Sequence, residues 1–194
     1  MAVYFTADSH FGHANIIKHC NRPFATIEEM NETLISNWNA RVHKNDHVYI
    51  AGDLAWRGGY ENALAIIERL KGIKHLAVGN HDRDFLKNDE YRSLFVEIEQ
   101  ILSIGNHNGF TEGKAVVCHY PMLSWNGSFR GTWHIYGHVH NNIQRESIAY
   151  DALSKMDKAL NAGMDICQYM PVTFQELIAY NEAWKQGVDK HDVL

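Results

Sequence analysis

The stretch Lys74-His75-Leu76-Ala77-Val78-Gly79-Asn80-His81-Asp82 is a run of apolar and β-forming residues that stops at a glycine and three polar side chains. A buried strand delivering its last residues to a loop reads this way. The same construction occurs four more times. Residues 3–7 run into Asp8-Ser9-His10, residues 47–51 into Gly52-Asp53, residues 115–118 into His119, and residues 133–136 into Gly137-His138-Val139-His140.

Between the early runs lie helical patterns. Ile27, Met30, Leu34, Trp38 and Val42 recur at spacings of three and four, and Thr26 with Glu29 forms a capping box ahead of them. A second helix is expected from about Tyr60 to Lys71, ending at Gly72, and a third from Thr173, with Glu176 as its capping partner. Strands alternating with helices give an α/β layered fold, while the closer spacing of the later strands predicts antiparallel or mixed pairing. Gly105-Asn106-His107-Asn108-Gly109 marks a hairpin. The chain shows no repeat, low-complexity tract or linker, so residues 1–194 read as one domain, with fraying expected from Gln186 onward.

Composition narrows the function. A net charge of -5 with a pI near 6.2 argues against an extended nucleic-acid or anionic-lipid surface, and no apolar run reaches the ~20 residues of a membrane span. Cys20, Cys118 and Cys167 are odd in number and far apart, which argues against disulfides or a cysteine zinc site and fits a cytoplasmic protein. Thirteen histidines against three prolines raise the prospect of a metal site.

In a strand, residues two apart share a face, so Asp8 with His10, and His138 with His140, could each reach one ion together. Imidazole with carboxylate or amide oxygen, and no thiolate, suits Mn, Fe, Zn, Co or Ni better than Ca. Two divalent ions against Asp8 and Asp53 would leave two positive charges in the pocket, enough for an acidic protein to attract a phosphoryl dianion.

The five blocks Asp-x-His, Gly-Asp, Gly-Asn-His-Asp, His and Gly-His-x-His stand in the order of the calcineurin-like metallophosphoesterase superfamily, which this chain resembles from Asp8 to His140. The resemblance implies a four-layer α/β/β/α sandwich of two mixed sheets flanked by helices. It implies a dinuclear site in which Asp8, His10 and His140 hold one metal, Asn80, His119 and His138 the other, and Asp53 bridges both, with manganese the first expectation. It also implies attack on phosphorus by a metal-bound hydroxide, and makes His81 the acid that protonates the leaving alkoxide. Asp82 is then expected to fix the His81 tautomer. Residues 52–58 are similar to the Gly-Asp-x-x-Asp-Arg-Gly segment of the phosphoprotein phosphatase branch. Arg57 falls at that branch's phosphate clamp, and with Asn80 and His81 it is expected to bind substrate. Trp56 replaces the aspartate of that segment, and Val78 replaces an arginine, which points away from a protein phosphatase.

His13 is assigned a structural or incidental role, with contact to substrate or support of the metal ligands as the alternative, and His19, His43, His75, His107 and His191 are placed at the surface or in turns. The aromatics of Trp125-Asn126-Gly127-Ser128-Phe129-Arg130-Gly131 are expected to pin that loop to the core, with stacking on a nucleobase as the alternative. Asn21-Arg22-Pro23-Phe24 is expected to wall the pocket. The expected activity is hydrolysis of a phosphomonoester or phosphodiester on a small molecule or nucleotide. The alternatives are a nuclease acting on single strands or ends, and a silent metal-binding scaffold.

Overall fold

The computed structural model describes residues 1–56, 60–106, 109–141 and 147–187. Strands β1 (Val3–Thr6), β2 (His47–Ile50), β3 (Ile73–Ala77) and β4 (Glu97–Glu99) form a parallel sheet in that order. β5 (Ile101–Ile104), β6 (Ala115–Cys118), β7 (Trp133–Tyr136) and β8 (Ala159–Asn161) form a second sheet, in which β5 runs antiparallel to β6 and the other pairs are parallel. The expected pair of sheets is present, and the first is wholly parallel because a helical crossover returns the chain between its successive strands. The hairpin expected around residues 105–109 joins β5 to β6, and its central His107 and Asn108 lie outside the described residues, as do residues 188–194 of the expected frayed end.

Apolar side chains sort into three layers. Val48, Ile50 and Leu76 face outward onto Met30, Leu34 and Trp38 of α2 (Ile27–Arg41) and Ile67 of α3 (Tyr60–Glu68). Phe5, Tyr49 and Ala77 face inward, against Leu102, Val117, Ile135 and Leu160 of the second sheet. Beyond that sheet, Tyr136 and Ala159 pack on Leu153. Both faces of the central strands are therefore covered, and β2 is buried at all four positions.

Thr26 caps α2 by accepting from the Glu29 amide at 3.1 Å, but the Glu29 carboxylate reaches back to the Ala25 amide, one residue earlier than a capping box requires. The full box is realised at Thr173 and Glu176, opening the last helix (Phe174–Lys185), which closes the seam between the sheets with Leu177, Tyr180 and Trp184. α3 stops at Glu68, three residues short of the expected Lys71, the Arg69 and Leu70 amides turning back to Ile66 O and Ile67 O, and Gly72 follows with φ +97°.

His75 corrects the sequence reading, being buried rather than in a turn. It shares the inward face of β3 with Ala77, stacks on Tyr49 with ring centroids 4.3 Å apart, and lies between His47 (2.8 Å) and Glu97 (3.0 Å). No helix among the described residues is long and apolar enough to cross a membrane, and all three cysteines are free thiols.

Candidate metal centre

All the strands that end in polar clusters run parallel, so their C-terminal ends share one edge of the sandwich. β1, β2 and β3 bring Asp8 and His10, Asp53, and Asn80 and His81; β6 and β7 bring His119, His138 and His140. The ligand atoms of Asp8, His10 and His140 lie within 4.8 Å of one another. A second group forms around His119, whose Nε2 is 3.0 Å from Asn80 Oδ1, 3.2 Å from His138 Nδ1 and 3.4 Å from Asp53 Oδ2. Asp53 lies between the groups, with the same Oδ2 3.7 Å from His10 Nε2 and 3.8 Å from His81 Nε2.

The backbone at these residues does not adopt the strand geometry from which they were expected to converge. Asp8, His10, Asp53, His138 and His140 all have φ between +50° and +74°, the left-handed region that costs a residue with a Cβ roughly 1–2 kcal/mol. Asp8 and His10 still converge. His138 and His140 diverge, one to each group, so a shared face by strand alternation is wrong for that pair.

Glycine is required beside this backbone by contact as well as by φ. A Cβ on Gly52 (φ +81°) would lie 2.5 Å from His119 Nδ1, and one on Gly79 would meet Asp53 Oδ1.

Hydrogen bonds fix which nitrogens are available. His119 Nδ1 donates to Ala51 O at 2.9 Å, and His140 Nδ1 bonds Asp165 Oδ2 at 2.7 Å, so Nε2 of each is the nitrogen left for a cation. His10 Nε2 is buried without a hydrogen-bond partner and is too far from Asp53 to bond it. Burial drives the Asp8 and Asp53 carboxyls upward and the His10 and His119 imidazoles downward. For His140, burial acts downward too, but Asp8 and the Asp165 bond outweigh it and hold the group up to about 11. Converging acceptors, an orphaned ring nitrogen and opposed shifts describe a pocket short of positive charge, and divalent cations fit that donor set.

Asp82 departs from expectation. Both its oxygens are occupied by the amides of Gly79 (2.8 Å), Asp53 (2.8 Å) and Leu54 (3.1 Å), so it clips two loops together and does not set the His81 tautomer. The turn after β3 folds the carboxylate back under its own glycine. Burial and the Asp53 charge push it up to about 7 against those three donors. Arg57 lies outside the described residues. His13 is buried, with its ring stacked 3.7 Å from half-buried Trp56, and Trp56 in turn flanks His81 at 4.7 Å.

The 125–131 loop divides the expectation made for its aromatics. Trp125 Nε1 donates to Thr132 O at 2.8 Å and the ring packs beside His134, whereas Phe129 is 98 % exposed.

Arg22 is misplaced by the sequence reading, and Asp165 escapes it. Arg22 is buried beneath the site instead of walling it, and it pairs with Asp165, 143 positions away, which bonds His140. No spacing pattern in a single chain links residues so far apart.

The model of the calcineurin-like phosphoesterase family matches residues 1–157. An uncharacterized protein of Methanocaldococcus jannaschii is 36% identical over 184 residues, covering 94% of this chain and 93% of its own. The gene 66 protein of Mycobacterium phage L5 is 28% identical over 71% of this chain and 77% of its own. Among solved structures, a protein of unknown function from Aquifex aeolicus superposes with a TM-score of 0.66 at 26% identity, over 90% of this chain and 96% of that one. With the fold, the buried Asp/His groups and this match in agreement, the chain belongs to the calcineurin-like phosphoesterase family.

Proposed function

We propose that this chain is a two-metal phosphoesterase that hydrolyses a phosphomonoester or phosphodiester of a small molecule, nucleotides being the first class to test. The observation that carries this reading is the position of Asp53 Oδ2, within 3.8 Å of imidazole nitrogens from three separate loops, those of His10, His81 and His119. Asp8, His10 and His140 would hold one cation and Asn80, His119 and His138 the other, with Asp53 common to both. Manganese is the ion we assign. Bound there, two divalent cations would supply Lewis acidity, neutralising phosphate charge and making water more acidic.

The protein's own groups set direction and access. Asp8, His10, Asp53 and His119 form a buried floor, while Asn80 and His138 are exposed and His81 is partly so, and a phosphate would approach from that side. The His81 amide donates to Asp53 Oδ1 at 2.8 Å, which locks the residue's backbone to the bridging carboxylate. Its side chain, 26 % exposed, can then meet an ester oxygen at the rim and donate a proton as that oxygen departs.

Metal analysis of purified protein, followed by hydrolysis of p-nitrophenyl and bis-p-nitrophenyl phosphate with added Mn2+, tests the proposal. Two equivalents of metal and turnover of either ester are expected. Silence with both esters while two ions are bound would overturn it in favour of a binding scaffold. A parallel assay of oligonucleotides beside nucleotides separates a nuclease from the small-molecule reading.

A further inference from the structure

Arg22 and Asp165 form an ion pair with side chains 0 % and 1 % exposed. Arg22 Nε donates to Asp165 Oδ1 at 2.8 Å and Nη2 to Oδ2 at 3.1 Å, and that same Oδ2 takes the Nδ1 proton of His140 at 2.7 Å. Of the remaining guanidinium contacts, Nη2 donates to Asp8 O at 2.7 Å and Nη1 to Ser9 O at 2.9 Å and to Met30 Sδ at 3.5 Å. A buried ion pair is costly to desolvate, and apolar side chains of similar volume often serve packing as well or better. Besides each other and Met30 Sδ, the two side chains hydrogen-bond Asp8 O, Ser9 O and His140 Nδ1, all on the loops carrying Asp8, His10 and His140. His119, in the other group, gives its Nδ1 proton to Ala51 O, and Asp8 Oδ1 stands 4.0 Å from that nitrogen, beyond hydrogen-bond reach.

We propose that Asp165, held by Arg22, is a positioning residue for one of the two cation sites. It fixes His140 with the proton on Nδ1 and Nε2 free, while the guanidinium holds the Asp8–His10 backbone against the same carboxylate. The inference rests on the reading of Asp8, His10 and His140 as ligands of one cation. Carboxylate partners of ligand histidines typically govern 10–100-fold in metal affinity. Here that effect falls on one site only.

The test is calorimetric titration of metal-free protein with Mn2+, for wild type, Asp165→Asn and the double variant Arg22→Met/Asp165→Leu, which leaves no unpaired charge. In both variants one binding step should weaken by about 10–100-fold while the other stays within about twofold of wild type. Two unchanged steps, or equal weakening of both, would overturn the inference. Failure of the wild-type protein to bind Mn2+ would instead bring down the metal reading on which it rests. Should the variants not fold, nitrogen-15 NMR of the imidazoles in Zn2+-loaded wild type decides. Nδ1 protonation of His140 supports the proposal, and an Nε2–H tautomer refutes it.

Discussion

Asp82→Asn separates two roles for one carboxylate. As a clip, Asp82 accepts two amides at Oδ2 and one at Oδ1. An asparagine can keep its oxygen on the Asp53 and Gly79 amides, but its NH2 then faces the Leu54 amide, leaving that buried donor unmade and removing the charge from the other two bonds. An unmade buried donor costs about 1–3 kcal/mol and loss of charge assistance about 1 kcal/mol more, so stability should fall by about 2–4 kcal/mol. The Asp53 amide is one of the three, and Asp53 holds a left-handed backbone, so Mn2+ retention should weaken at both cation positions together. Urea unfolding of metal-free protein at pH 8, above the value of about 7 to which burial and Asp53 push the carboxyl, measures the first effect. Metal content after gel filtration measures the second. Unfolding free energy within about 0.5 kcal/mol of wild type, together with full metal content and collapsed turnover, would refute the clip and restore Asp82 as the partner of His81.

Gly52→Ala should cost about 2–5 kcal/mol in urea unfolding, combining the penalty at φ +81° with the collision on His119 Nδ1, and should lower metal content; a change below about 1 kcal/mol would contradict the contact. His81→Asn should retain both ions while kcat falls about 10²–10⁴-fold on alkyl esters and much less on p-nitrophenyl esters, whose leaving group needs no proton; equal losses on the two would remove the acid role. Burial holds His134 down to about 4, against a weaker pull upward from its bonds to backbone at Val116 and Tyr120. Its folded form therefore binds fewer protons than the unfolded chain between about pH 6.5 and 4, and stability should drop by about 2 kcal/mol from pH 7 to 5. The pH dependence of unfolding in wild type minus that in His134→Asn isolates this term, and identical slopes would rule it out.

Much of this arrangement could be read from the chain, for physical reasons that also mark where reading stopped. A β-forming run closed by glycine and a lone-pair donor is a local signal, so β1, β2, β3, β6 and β7 and their attached ligands were legible. So were α2 and the final helix, through periodicity and capping. β4 and β8 are three residues long and carry no pattern to detect. His75 looked like any polar residue until alternation along β3 placed it on the inner face. Asp82 misled because adjacency in sequence suggested contact with His81, whereas the turn sends consecutive side chains apart. The Arg22–Asp165 pair has no local signature at all.

Each cation group draws on both sheets. Asp8 and His10 come from the first and His140 from the second; Asn80 comes from the first and His119 and His138 from the second. On the two-metal reading, the ions are rivets through a laminate, and removing them with a chelator should let the layers breathe at that rim while the opposite rim stays shut. Amide exchange after β1, β3, β6 and β7 should then quicken as one cooperative unit, so that the reactive centre doubles as the fastener joining the halves that built it.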